Sequence, residues 1–239
     1  MPVAELTDRY TEDPLAHAEY TLRTTTLQTW PFRHAVVEPV FPRWYYQQLI
    51  TNFPEQSAFT PINEYHPDRG GLFLTDRGDG TTDLDRIEGD THAFWTDFVD
   101  RFCTERFRRV LLETVAGPES AAANLSRTRS LVHLSLDQGG YKIDPHTDID
   151  RKVVTAVIYL PDYGDERVAP YGTSVLVEKP GTTIENEQDW DRYEVARTAS
   201  FAANTMFTFA RADNSWHAVK PVEAGIERRS ILYFVFIDE

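Results

Sequence analysis

The apolar positions of this chain change their spacing near residue 128. Before it they recur every three or four residues, as amphipathic helices require; after it they come in short runs separated by turn residues, as in the strands of a sandwich or barrel. In the first part, Phe41 to Phe53, with Trp44, Tyr45, Leu49 and Ile50, predicts a helix that starts near Pro42. Thr91 to Val115, with Phe94, Phe98, Val99, Phe102, Val110 and Leu111 at helical spacing, predicts a longer one with Asp90 or Thr91 as its N-cap. Between them, Pro54 to Gly89 is rich in Pro, Gly and Asp. Connections of that length are usually functional or mobile. This one has room for a short hairpin around Leu72-Phe73-Leu74, and reads either as a substrate-covering loop or as a surface excursion. In the second part, strands are predicted at 130–136, 153–160, 173–178, 194–199, 204–209, 215–219 and 228–237. One more around residues 146–148 brings the set to the eight of a jelly roll. Lys179 to Asp191 interrupts the strands with acidic and turn residues, as an insertion near the barrel mouth would.

Composition narrows the functional classes. With 239 residues, of which 41% are hydrophobic and 13% aromatic, the chain supports a single domain, 1–239, with a helical N-terminal part to 128 and a β core from 129. A net charge of -14 argues against a nucleic-acid partner, because neutralising phosphates needs clustered Lys and Arg. There is no N-terminal apolar stretch of signal-peptide type and no apolar run long enough to span a bilayer, so a cytoplasmic protein without a membrane partner is the expectation. The single cysteine, Cys103, excludes an internal disulfide and a Cys-cluster zinc site, and its helical spacing reads as core. Arg106, Arg108 and Arg109 in the same run read as a solvated helix face.

The chemistry lies in three separated pieces: His146-Thr147-Asp148, then His217, then Arg228. Two imidazoles and one carboxylate can occupy one face of an octahedral Fe(II) and leave the other open for co-substrate and dioxygen. An arginine on a strand just beyond the second histidine adds a planar fork that can hold a carboxylate by two parallel hydrogen bonds. Iron with a carboxylate anchor points to a 2-oxo-acid co-substrate. His-x-Asp alone is a weak signal, and the chain contains a second copy, His66-Pro67-Asp68, set among turn residues and read as a loop. His146 differs because predicted strands flank it on both sides.

The order His146-x-Asp148, Lys152-x-x-Thr155-x-x-x-Tyr159-Leu160, Gly172-Thr173, His217 and Arg228-Arg229-Ser230 resembles the Fe(II)/2-oxoglutarate-dependent dioxygenases, in particular their prolyl-4-hydroxylase-like branch, over residues 129 to 237. The resemblance implies a double-stranded β-helix, mainly β with flanking α, whose helices pack outside one sheet and whose site lies inside the open end. It implies His146, Asp148 and His217 as ligands of Fe(II), 2-oxoglutarate as co-substrate with its distal carboxylate on Arg228, and O2 as oxidant. Strand alternation lets only one of Arg228 and Arg229 point inward; Arg228 is preferred because Ser230 would then place a hydroxyl on the same face. Tyr141, five residues before His146, falls where many relatives carry an aromatic group near the co-substrate, and packing would explain it as well. His133 reads as a buried, hydrogen-bonded histidine with substrate contact as the rival; Asn204 reads as a turn residue and Trp216 as packing.

The chain departs from prolyl hydroxylases at Lys152, where relatives often have arginine, at Pro161 after Tyr159-Leu160, and in the reduced turn Tyr171-Gly172-Thr173. These departures turn the expected substrate from peptidyl proline toward a small metabolite or free amino acid, and the negative charge permits a cationic one. The implied activity is hydroxylation of an unactivated C–H coupled to decarboxylation of 2-oxoglutarate to succinate. The alternatives are a protein-residue hydroxylase, or a metal cupin or binding module without oxygenase turnover. A halogenase is disfavoured, because Asp148 occupies the place that chloride would need.

Overall fold

The computed structural model describes residues 12–62, 68–181 and 188–238. Its framework is two antiparallel sheets. The larger contains β1 (His34–Val37), β2 (Thr60–Pro61), β3 (Arg69–Phe73), β4 (Thr128–Asp137), β6 (Lys152–Tyr159), β9 (Thr205–Ala210) and β11 (Arg228–Ile237), in the order β1-β9-β6-β11-β4-β3-β2. The smaller contains β5 (Ile143–His146), β7 (Ser174–Glu178), β8 (Tyr193–Thr198) and β10 (His217–Val219), in the order β5-β10-β7-β8. From β4 to β11 the chain passes back and forth between the two sheets, which is the winding of a double-stranded β-helix.

Strand alternation explains the layering. On β11, Ile231, Tyr233 and Val235 join Val132, Leu134, Val154, Ala156 and Ile158 on the outer face of the larger sheet, and the helices cover them. These helices are α1 (Pro14–Thr24), α2 (Arg43–Thr51), α3 (Gly89–Phe102), α4 (Glu105–Leu111) and α5 (Pro118–Asn124). Tyr233 keeps its hydroxyl satisfied under them, pairing with Ser130 Oγ at 2.6 Å and donating to the Phe102 carbonyl at 3.0 Å. The inner faces of both sheets meet through Tyr159, Val175, Phe201, Phe207 and Phe209. With both its faces covered, β11 is buried along most of its length.

Several expectations change in detail. The predicted helix from Thr91 to Val115 is broken: α3 starts at Gly89 after Glu88 and ends before Cys103, and Thr104 then caps α4 by accepting from the Phe107 N–H at 3.3 Å. The apolar spacing runs through this break because α3 and α4 present their stripes to the same core, so periodicity alone does not reveal it. After α4, residues Leu112–Ala116 form a π turn. The hairpin expected around Leu72-Phe73-Leu74 is the pair β2–β3, and β3 goes on to pair with the edge of β4. His66 and Pro67, read as loop, lie outside the described residues. Asn204 is more than a turn residue. Its backbone has φ of 57°, and its amide brackets Phe41, accepting from Phe41 N at 2.9 Å and donating to Phe41 O at 2.8 Å. Gly172 is needed for close approach, since a Cβ there would lie 1.7 Å from the Ala199 carbonyl oxygen. Among the described residues no helix is long and apolar enough to cross a membrane.

Candidate active site

His146 closes β5, His217 opens β10, and the two residues are register partners in the smaller sheet. Their rings consequently lie 4.2 Å apart, centroid to centroid. Asp148 follows β5, and the potential ligand atoms of His146, Asp148 and His217 all lie within 4.8 Å of one another. Each histidine is oriented by a backbone carbonyl: His146 Nδ1 lies 3.0 Å from Asp144 O and His217 Nδ1 2.9 Å from Ser215 O. A carbonyl can only accept, so Nδ1 carries the proton and Nε2 keeps a lone pair. Burial lowers both imidazole pKa values, that of His146 to about 3, with the neighbouring His217 adding to the effect. Both rings are therefore neutral at pH 7 and ready to ligate.

Asp148 is held ionised. Burial alone would raise its pKa, but Lys152 Nζ at 2.6 Å from Oδ1 and Thr155 Oγ1 at 2.5 Å from Oδ2 bring it down to about 2. Lys152, noted in the sequence as a departure, thus neutralises this carboxylate while its ammonium rests over the Phe234 ring at 4.3 Å.

The other end of the site is built by register. Arg69 on β3, Asp137 on β4 and Arg228 on β11 lie abreast in the larger sheet. Asp137 receives Arg69 through Nε at 2.7 Å and Nη2 at 3.1 Å, Ser135 Oγ at 2.8 Å, and Arg228 through Nη1. These partners hold the buried carboxyl below its ordinary range against the opposing effect of burial. Arg228 is 1% exposed and faces inward, whereas Arg229 lies on the opposite face and pairs with Glu227 at 2.6 Å. Arg228 Nε and Ser230 Oγ are buried with no hydrogen-bond partner among the described residues. Tyr141 packs beside them, its ring 4.3 Å from the Arg69 guanidinium and 5.5 Å from that of Arg228.

His146, Asp148, His217 and Arg228 line one cavity of about 790 Å³, together with His133, Thr155 and Phe234. Ile62 and Phe73, from the connection before α3, and Gln188, from the segment between β7 and β8, line it too. Trp216 does not; it packs on Tyr193 at 5.2 Å. The thiol of Cys103 is pushed up to about 12 by burial, which leaves it unreactive. Sequence reading passed over Asp137 and Arg69. Asp137 was findable as an acid just past the predicted strand 130–136, in phase with His133 and Ser135 and inside the observed β4; Arg69 depends on a pairing register that no local pattern records.

Residues 131–236 match the family model described as the 2OG-Fe(II) oxygenase superfamily. This part of the chain is similar to the 2OG-Fe(II) oxygenases. The superfamily uses Fe(II), 2-oxoglutarate and dioxygen, and the donor set fits them: two neutral imidazoles and a carboxylate for the metal, an orphaned guanidinium N–H and hydroxyl for a carboxylate. No curated protein matches the chain by sequence. Among solved structures it is similar to a Pseudomonas putida prolyl-4-hydroxylase (TM-score 0.54, 17% identity, 94% of this chain and 100% of that one). It is also similar to a Trichoplax adhaerens prolyl hydroxylase in complex with a hypoxia-inducible-factor peptide (TM-score 0.51, 12% identity, 99% and 94%). HygX from Streptomyces hygroscopicus, with nickel and 2-oxoglutarate bound, gives a TM-score of 0.52 at 10% identity over 92% and 86%. At such identities the likeness concerns the fold.

Proposed function

We propose that the protein is a 2OG-Fe(II) oxygenase that hydroxylates an unactivated C–H of a small metabolite or free amino acid, with His146, Asp148 and His217 as iron ligands and Arg228 with Ser230 as the anchor for 2-oxoglutarate. The observation that carries this reading is the single cavity in which the triad and Arg228 face one another, with a volume in the range of small-molecule sites. When bound, iron, 2-oxoglutarate and dioxygen supply the oxidising chemistry, with succinate and carbon dioxide as the by-products.

The protein's own residues do the rest. His146 and His217 offer Nε2, oriented from behind by carbonyls, while Lys152 and Thr155 keep Asp148 charged and fixed. Arg228 Nε and Ser230 Oγ present donors to a carboxylate, and Asp137 fixes the guanidinium by occupying Nη1. Phe73, Leu131, Val157, Leu232 and Phe234 form apolar walls that exclude water and hold the reacting carbon in place.

The test is succinate release from 2-oxoglutarate, screened over amino acids, small metabolites and proline-containing peptides. A small molecule should stimulate release in the native chain, and His217→Ala should abolish both release and Fe(II) binding. Stoichiometric hydroxylation of a proline-containing protein, with no small molecule active, would reverse the substrate assignment. Loss of iron in His66→Ala with retention in His217→Ala would reverse the ligand assignment.

A further inference from the structure

His133 is left unused by the reading above. It is 5% exposed, and neither ring nitrogen has a hydrogen-bond partner among the described residues. An orphaned polar ring is a standing cost to folding, and an apolar side chain of similar size would avoid it. The ring sits between Phe73 at 4.7 Å and Phe234 at 5.8 Å and lines the same cavity as the metal triad.

Its place along the sheet is set by register. His133 lies abreast of Phe73, Leu232 and Val157. The next row towards the metal is Leu131, Phe234 and Thr155, whose hydroxyl holds Asp148; Asp137 and Arg228 lie two rows the other way. A ligand reaching from Arg228 to the triad passes this row. The charged side chains that line the cavity with His133 are Arg69, Lys152 and Arg228, against the carboxylates of Asp144 and Asp148. Burial first, and then Arg69 and Lys152, keep the imidazole neutral, with its pKa lowered to about 3. The lining thus carries one more cation than carboxylates although the chain as a whole is acidic, which suits an anionic ligand better than the cationic one that net charge alone permits.

We propose that His133 is a specificity-determining residue whose neutral imidazole donates an N–H to a carboxylate oxygen of the molecule bound beside the metal triad. That carboxylate belongs either to the chelating end of the 2-oxo acid or to the primary substrate. The inference rests on the proposed 2-oxoglutarate site.

The experiment titrates the Fe(II) protein anaerobically with 2-oxoglutarate and with 2-oxobutyrate, which keeps the chelating end but lacks a distal carboxylate. Binding is followed by visible absorption for the native chain, His133→Leu, His133→Gln and Arg228→Ala. If the co-substrate is the source, His133→Leu weakens both 2-oxo acids alike, by about ten- to a hundredfold as expected for a lost hydrogen bond to a charged group. His133→Gln then recovers part of the loss, and Arg228→Ala weakens only 2-oxoglutarate. If the primary substrate is the source, His133→Leu leaves both 2-oxo acids unchanged. Short aryl and alkyl carboxylic acids, but not their amides or amines, then stimulate succinate release in the native chain and fail in His133→Leu. In either case the metal-free His133→Leu protein should melt at a higher temperature than the native one, a gain in stability opposite to the loss in binding. The proposal is overturned if His133→Leu equals the native chain in both arms, or if amines alone stimulate. Absence of any 2-oxoglutarate signal in the native protein would instead remove the site reading beneath it.

Discussion

At the scale of single residues, the two ends of the cavity are separable by mutation. Arg228 is buried, so removing it strands a bound carboxylate, and loss of one partner from such a pair costs about 2 to 5 kcal/mol. Arg228→Ala should therefore raise the dissociation constant for 2-oxoglutarate by tens to thousands of fold, measured by anaerobic titration, with Fe(II) affinity retained. Arg229→Ala should change it little, because Arg229 faces away and pairs with Glu227. A larger effect from Arg229 would reverse the assignment. At Asn204, Ala would leave the buried N–H and C=O of Phe41 without their amide partners and put a non-glycine residue of poor left-handed tolerance at φ of 57°. A loss on the order of 2 kcal/mol or more in urea unfolding is the expected outcome.

At the scale of elements, the helices matter to the site by making the larger sheet a rigid backing. Phe102, 1% exposed, stacks on Phe98 at 4.9 Å, meets Phe41 and Phe107 edge-on and lies 5.9 Å from the Tyr45 ring, joining α2, α3 and α4 over the sheet. Phe102→Ala should cost about 3 to 5 kcal/mol of stability, read from the denaturant midpoint. Because this cluster lies on the outer face, Fe(II) affinity of the folded fraction should be unchanged; a parallel loss of metal binding would show that the two faces of the sheet are coupled. The extra strand β3 has a different role, since it delivers Arg69 to Asp137 and Phe73 to the cavity wall from outside the double-stranded β-helix.

At the scale of the whole molecule, the buried histidines set an acid limit. His133 and His146 have pKa values lowered to about 3, and His34 and His217 are lowered as well, with burial the leading cause in each. Unfolding exposes these rings, which then take up protons near 6.5. The unfolded chain binds more protons than the folded one between these values, so stability present above pH 6.5 is lost progressively as pH falls towards 3. Denaturant midpoints of the metal-free protein should fall between pH 7.5 and 4.5, and His133→Leu should flatten part of that slope. A slope unchanged in the variant would mean that His133 does not contribute to it.

The sequence by itself determined what local periodicity and residue chemistry can encode. Short apolar runs separated by turn residues marked the strands from β4 to β11, and the spacing of His146, Asp148, His217 and Arg228 on strands or strand ends marked the residues that line one cavity. Alternation also separated Arg228 from Arg229, since successive side chains on a strand must face opposite ways. What only the tertiary structure decided depends on non-local contacts. The break between α3 and α4 is hidden because both helices serve one core, and the first-turn cap at Thr104 is a short polar signal inside a long apolar period. The row Arg69, Asp137 and Arg228 exists only through the register of three strands widely separated along the chain, and the unpartnered state of His133 only through the absence of donors and acceptors around it among the described residues. Pairing register and burial are properties of the closed sheet, and a linear pattern carries neither.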